Sequence, residues 1–573
     1  MRYPTRLTMR RHLPFLLLAI VLASPIVASA GGTVTLCATD VQGGLGLNLT
    51  NALAGGGTVT FACKFGTTIE ITQTHVVSGK AEIDGGGMIT LKSSSYHAMF
   101  VVTGDLTLRR LTLRNPYVGL RTSPGPGGIA VGTGALSLID TQVRGSVNPF
   151  NLEMIHIERT LFENNPTTVL VSAGIAVISG SDFVNNNGAI VLQSNRPRGS
   201  GRTTVAAITD SRFRNNGTAI WWTGRLDVKK SAFDNNGHQR RSGGAIRLEG
   251  TGFIEHTTFD HNTAAEGGAV WLVGGSLSLR RATFRDNSAL KDGGAVGIGD
   301  LAEGSIISRY STFVGNTAAR RGAIKLASSG AEIALQGGPN TFARNKAGVG
   351  GAIFSELGRI QLVRAVFADN SASTEGGAIL ASRRGSPLAA VLANSLLVRN
   401  AAPDGSAVSG SAVTLINSTV ADNKGLAIAL KPLSHFSAPG ARGEIDLRNS
   451  VVSNNTGGNC STLPPGQVTI QNGHNLQYPG SECGGSVASA DPQLDALYVP
   501  RFGSPAYAGG DNAICLAVPI SSKDVYNAVR PQGAACAVGA VEGDIDPRLF
   551  QTLLWRLNER VRQNFTAVRS LWK

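Results

Sequence analysis

The chain has 573 residues, 16% of them charged and 42% hydrophobic, with 72 glycines but only 23 prolines. That balance excludes a highly charged disordered chain, and with no Gly-X-Y period it excludes a collagen-like one. The formal net charge of +14 fits adsorption to anionic surfaces. No dense Lys/Arg run accompanies it, so nucleic acid is not an expected partner. Aromatic residues are sparse at 6%, which suits many short strands joined by Gly-rich turns.

Residues 1–30 read as a secretory signal peptide. Arg2, Arg6, Arg10 and Arg11 precede an apolar run from Leu16 to Ala23, and Ala28-Ser29-Ala30 follows as a small-residue cleavage site. The run is short for a bilayer span and Pro25 breaks it. A secreted or cell-surface location is therefore expected, with the periplasm as the alternative.

Six cysteines follow: Cys37, Cys63, Cys460, Cys483, Cys515 and Cys536. In an exported chain an even count implies disulfides. Proximity favours 37–63, 460–483 and 515–536, although the count alone allows other pairings. Residues 31–100 are read as an N-terminal cap and first coils.

The stretch 101–459 is dominated by a repeat. An apolar anchor, usually Phe, is followed three residues later by Asn, as in Phe183…Asn186 and Phe259…Asn262. These asparagines fall at Asn165, Asn186, Asn216, Asn236, Asn262, Asn287, Asn316, Asn345, Asn370, Asn400, Asn423 and Asn454, at intervals of 20 to 31 residues. A second phrase recurs between them, as in Gly243-Gly244-Ala245-Ile246 and Gly267-Gly268-Ala269-Val270. Short strands and turns at this period describe one coil of a parallel β-solenoid, which buries its inward face only by stacking on neighbours. The phenylalanines should stack in the lumen, and the asparagine amides should form a ladder at a turn.

Residues 460–545 are read as a disulfide-containing C-terminal β segment. From Pro547 glycine disappears, and Leu549, Leu553, Leu557 and Val561 recur every four residues among six basic side chains and Glu559. Residues 546–573 are thus expected to be a basic amphipathic α-helix. It would dock on the solenoid, or contact a membrane surface or partner.

The GGA[I/V] and F-x-x-N phrases resemble the repeats of chlamydial polymorphic membrane proteins. More broadly they resemble right-handed parallel β-helix proteins of the pectin-lyase-like superfamily. The stretch Ile83-Asp84-Gly85-Gly86-Gly87 is similar to first-coil sequence in those proteins. Asp491-Pro492-Gln493-Leu494 and Arg530-Pro531-Gln532-Gly533 resemble the closing segment of choice-of-anchor β-helix surface proteins. The resemblance implies an all-β fold, a single-stranded right-handed parallel β-helix. It leaves activity open, because this scaffold hosts lyases, hydrolases and non-catalytic adhesins.

In a solenoid, matching repeat positions form vertical files about 4.8 Å apart. If the Ile/Val of the second phrase faces the lumen, Leu192, Trp222, Leu248, Leu272, Ile298 and Leu326 also point inward. Trp221, Arg247, Trp271, Lys325 and Phe354 then point outward beside a floor of alanines (Ala219, Ala245, Ala269). Rings beside cations on a long shallow surface suit a glycan chain. A neighbouring loop over that strip is the structural alternative.

Two further files carry charge. In the file before the ladder, Arg344, Asp369, Arg399 and Asp422 alternate in sign and read as a weak ion-pair ladder, while His261 beside Asp286 is a candidate base with its orienting carboxylate. Glu266, Asp292 and Arg320 precede the glycines, where paired carboxylates could hold Ca²⁺ or do acid–base work unless the arginine neutralises them. The Asn-Thr-Asp, Gly-His-Gly and Arg-Ile-Lys motifs of polygalacturonase-like hydrolases do not occur. These readings predict a monomeric, non-catalytic surface protein binding glycans or cell surfaces without a cofactor or metal. A polysaccharide lyase or glycoside hydrolase is the alternative, and a purely structural spike the third.

Overall fold

In the computed structural model the described residues are 31–543 apart from 94–98, 115–128, 132–133, 145–151, 166–169, 172, 188–189, 193–203, 300–303, 327–330, 337, 382–389, 431–443, 462–467 and 472. The signal peptide and the C-terminal helix expected over 546–573 lie outside them.

Each coil repeats one path, exemplified by residues 225–248. A first strand (225–229) turns a corner into a second (Ala232–Asp234), a third follows (Gly237–Ser242), and a fourth (246–248) closes the coil. These strands pair in parallel with their counterparts on the next coil, as in Phe233 on Phe259 and Ile220 on Ile246. The first, second and fourth strands belong to one 42-stranded sheet that winds around the lumen, and the third strands form a separate six-stranded sheet. The chain is an all-β parallel solenoid, as the repeat period requires.

Strand alternation sorts the side chains. In the first strand Leu226 and Val228 enter the lumen while Arg225, Asp227 and Lys229 stay outside. In the second strand, Phe162, Phe183, Phe213, Phe233, Phe259, Phe284, Phe313, Phe342 and Phe367 form an unbroken internal stack. Neighbouring ring centroids are 4.6–4.9 Å apart and nearly parallel. The ring spacing is set by the strand spacing, so each added coil extends the stack.

The corners need backbone that most residues avoid. Asp210, Lys230, His256 and Arg281 turn the first corner with φ of 46–50°, and Asn215, Asn235, His261 and Asp286 turn the second with φ of 50–54°. Asn and Asp accept this left-handed conformation most readily. Inside the second corner sits the amide ladder. Asn262 Nδ2 donates to Asn287 Oδ1 at 2.9 Å and to the Phe233 carbonyl at 3.0 Å, and Asn287 Oδ1 also accepts the Asn262 backbone N–H. The same bonds link Asn186, Asn216, Asn236, Asn262, Asn287, Asn316, Asn345 and Asn370. The ladder ends on Asn455, not Asn454, because Val452 pairs with Val420 and so sets the register. Asn454 takes the left-handed corner instead.

A second ladder lies inside the first corner. The backbone N–H groups of Thr160, Ser181 and Ser211 donate to the hydroxyls of Ser181, Ser211 and Ser231 on the following coils at 3.1–3.2 Å.

The ends are closed differently. At the N-terminus a short helix, Leu49–Ala54, buries Leu49 and Ala52 against the core, and Cys37 is bonded to Cys63. The other disulfides are 460–483 and 515–536. All three match the pairing that proximity favoured.

The segment expected to be β over 460–545 is paired in the sheet only as far as Ser489. Residues 490–543 instead fold back as an irregular clasp along the outer face of the last second strands. Tyr498, Val499, Val525, Ala540 and Val541 cover Val366, Ala368, Leu396, Val398 and Ala421. Corner residues fasten it: Arg364 to Asn527 at 2.9 Å, Asn394 to the Lys523 carbonyl at 2.6 Å, and Asn449 to the Asp511 carbonyl at 2.9 Å. Within the clasp, Arg530 and Glu542 form a buried ion pair at 3.3 Å.

Candidate binding face

The fourth strands place the predicted strip. Trp222, Leu248, Leu272, Ile298 and Leu326 fill the lumen as expected, and Leu192 carries no described side chain. Trp221 pairs with Arg247 and Arg247 with Trp271, so the outward file does form. It is not an open surface. Trp271, Lys325 and Phe354 are 7%, 0% and 6% exposed, and only Trp221 and Arg247 retain partial exposure. Ala219, Ala245 and Ala269 are core residues rather than a floor.

The cause lies in the paired glycines. They turn the chain so tightly that the first glycine lies over the outward residue four positions on. A Cβ added at Gly267 would be 3.1 Å from Trp271 Cα, and one at Gly350 would be 3.0 Å from Phe354 Cβ. Strand alternation identifies an outward direction, but the turn then roofs it.

What the strip forms is a packed layer of rings and cations. Arg247 lies 5.2 Å from the Trp221 ring centroid, Lys325 5.3 Å from that of Trp271, and Arg321 5.0 Å from that of Phe354. Such contacts gain strength when water is excluded.

The file before the glycines also departs from the expected register. Asp292 pairs with Arg321 rather than Arg320, because Arg321-Gly322-Ala323 has one residue fewer than the neighbouring Gly-Gly repeats. Buried Asp292 takes two hydrogen bonds from Arg320, the closer at 2.8 Å, and lies 3.9 Å from both Arg321 and Lys325. Cations surround it, whereas Glu266 accepts from Ser242 at 3.5 Å. This arrangement suits a neutralised structural site, not a cation site.

His261 lies 2.9 Å from Asp260, its own chain neighbour, rather than pairing with Asp286 as expected. Asp260 also receives both arms of Arg285. Asp234 adjoins them, its carboxyl pushed above the ordinary range by burial and then by Asp260. In the ion-pair ladder Arg399 meets Asp369 at 2.9 Å, whereas Asp422 accepts from Tyr498 of the clasp at 3.0 Å.

The open sheet surface is the outer face of the first strands, which the sequence reading did not single out. Among the described residues, Met154, Ile175, Phe253 and Ile307 are exposed large apolar side chains on it. Met154 pairs with Ile175, and Phe253 leads through Ser278 to Ile307. Arg225 lies 4.8 Å from the Phe253 ring centroid while bonding Asp227 at 2.9 Å. Along the margin, Glu255 joins Lys229 at 3.9 Å and Arg280 at 3.0 Å. Toward the C-terminal end a shallow pocket is lined by Val391, Thr414, Glu444, Asp446 and Arg448. There Arg448 bonds Asp446 at 2.7 Å, and that bond raises the arginine's pKa above its ordinary value. Apolar faces beside fixed charge pairs and hydroxyls suit ligands that are apolar on one side and hydroxylated at the edge.

Residues 169–347 match the family model described as right handed beta helix region, and residues 365–382 match that of the Chlamydia polymorphic membrane protein repeat. No curated protein matches the chain.

Proposed function

We propose that this chain, a right-handed parallel β-helix with repeats of the polymorphic-membrane-protein kind, is exported. It acts at the cell surface or beyond by holding a long rigid face against glycans or a neighbouring cell surface, without catalysis. The observation that carries this reading is the open outer face of the first strands, where Met154, Ile175, Phe253 and Ile307 stand exposed on stacked coils. Three disulfides fit an oxidising compartment, and the net positive charge favours anionic polymers. One feature favours a polysaccharide lyase or glycoside hydrolase as a second reading: Glu444, Asp446 and Arg448 converge in the shallow pocket.

Incubating the protein with immobilised neutral and anionic polysaccharides separates the readings. Retention without new unsaturated or reducing ends is the expected result. Release of either product would replace the binding reading with the enzymatic one, and no retention on any polymer or cell surface would leave a structural spike.

A further inference from the structure

The first corner and the strand end before it carry charge unevenly along the solenoid. Near the N-terminus their cations are matched by carboxylates one coil away. Arg109 meets Glu82 at 2.9 Å, Arg159 meets Asp140 at 2.6 Å, and Arg110 bonds Asp84.

From Lys229 to Tyr310 this matching stops. Lys229 pairs in register with Glu255, Glu255 with Arg280, and Arg280 with Arg309. At the turn itself Lys230, His256, Arg281 and Tyr310 follow one another on the same four coils. Lys229, Lys230, Arg280, Arg281 and Arg309, all exposed, thus share one carboxylate on this ridge. That carboxylate, Glu255, lies 3.9 Å from Lys229 and 3.0 Å from Arg280. Arg281 meets His256 Nε2 at 3.3 Å and the Tyr310 ring centroid at 5.8 Å, and Arg309 meets Gln336 at 3.4 Å. Neither gains a counter-charge, and the Lys230 ammonium bonds no described residue. Like charges in register on strands about 4.8 Å apart repel, so a row of anions laid along the ridge would relieve it.

The carboxylates around the ridge are engaged or lie off its end. Arg225 bonds Asp227 at 2.9 Å, Arg285 bonds Asp260 at 2.9 Å, and Asp210 turns the corner one coil before Lys230. The clasp reaches this corner at Arg364, beyond the ridge. On one flank Thr258, Thr283 and Thr312 stand in register, partly exposed, their hydroxyls bonded to no described residue. On the other flank are Ser278 and the exposed Phe253 and Ile307. A cationic row with hydroxyls on one side and apolar side chains on the other matches a polymer whose units each carry an anion, hydroxyls and an apolar ring face. A single-stranded nucleic acid would instead call for a row of rings on which its bases stack.

Resting on the binding reading above, we propose that the ridge from Lys229 to Arg309 anchors an anionic polysaccharide, one with carboxylate or sulfate groups on successive sugars. The polymer lies along the solenoid axis, its anions on Lys230, Arg281 and Arg309 and its hydroxyls toward the threonines.

The test uses the full chain. In one variant Lys230→Asn, Arg281→Asn and Arg309→Gln remove charge from the ridge, asparagine being suited to the left-handed turns. In a control, Arg240→Gln, Arg241→Gln and Lys346→Gln remove the same charge from exposed positions on third strands. Binding is measured to alginate, dextran sulfate, neutral dextran and oligodeoxythymidylate over a range of salt. The parent should bind an anionic glycan more tightly than dextran, alginate reporting carboxylate and dextran sulfate reporting sulfate as the anchored group. The ridge variant should lose at least tenfold in that affinity, with a shallower salt dependence, and the control less than twofold. Equal loss in both variants would overturn the proposal, because net charge alone would then account for binding. So would tighter, ridge-dependent binding to the oligonucleotide. Binding to dextran and the anionic glycans alike, untouched by the ridge substitutions, would overturn the ridge and keep the broader reading. Binding to no polysaccharide would end both.

Discussion

Trp271 and Lys325 sit two coils apart, yet the lysine ammonium lies 5.3 Å from the centroid of the indole ring. Gly297, between them in the same file, makes this contact available. A Cβ there would be 2.6 Å from Trp271 Cζ3. Gly297→Val should expel the ring, costing about 1–3 kcal/mol as an overpacked site does. The readout is a lower urea midpoint together with red-shifted tryptophan emission.

The ladder asparagines and their corner neighbours should differ sharply. Asn287→Ala would leave the Asn262 backbone N–H without its acceptor and would take one partner each from the Phe259 carbonyl, Asn262 Nδ2 and Asn316 Oδ1 in a buried site. A loss of about 3–5 kcal/mol is expected from these lost bonds. Asn235→Ala, at an exposed corner with φ of 51°, should lose only about 1 kcal/mol, the left-handed penalty. Equilibrium denaturation of the two variants checks the contrast.

Acid should loosen the N-terminal corners before the clasp. Arg159 hydrogen-bonds Asp140 at 2.6 and 2.9 Å and holds its carboxyl below the ordinary value of 3.8. A depressed folded pKa means stability that is present above 3.8 and lost as pH falls through the folded value. Asp524, raised by burial, works oppositely, since its protonation on acidification favours the folded state. Asp140→Asn should therefore lower the urea midpoint at pH 6 and shrink the further fall between pH 4 and pH 2.5.

The clasp depends on the hydroxyl of Tyr498, which accepts from Arg399 at 3.1 Å and donates to Asp422 at 3.0 Å. Burial, opposed by Arg399 and reinforced by Asp422, pushes its pKa up to about 12, so it keeps its proton at neutral pH. Tyr498→Phe should cost about 1–2 kcal/mol. Hydrogen exchange should rise around 366–368, 396–398 and 419–421, with the Phe162–Phe342 coils unchanged.

The coil period, the phenylalanine stack, the inward file and the disulfide pairs were legible because each recurs at fixed spacing or joins near neighbours. The roofing of Trp271 and Phe354 was not, because alternation fixes only a direction, whereas cover depends on how the glycine turn folds back. Asn454 and Asn455 are adjacent and identical, so only the Val420–Val452 pairing decides which enters the ladder. The hydroxyl ladder was hidden because serine and threonine are common at turns. The clasp rests on contacts such as Arg364 to Asn527, 163 residues apart, and no local pattern announces those. The open first-strand face was missed because its apolar members are scattered singly among serines and charged residues.

Retention on an immobilised polysaccharide or cell surface, compared across faces, tests the central claim most directly. Phe253→Ala combined with Ile307→Ser should reduce retention at least tenfold while leaving the unfolding free energy within about 1 kcal/mol of the parent, and Trp221→Ala should leave retention unchanged. Full retention by the double variant, with loss in Trp221→Ala, would contradict the account.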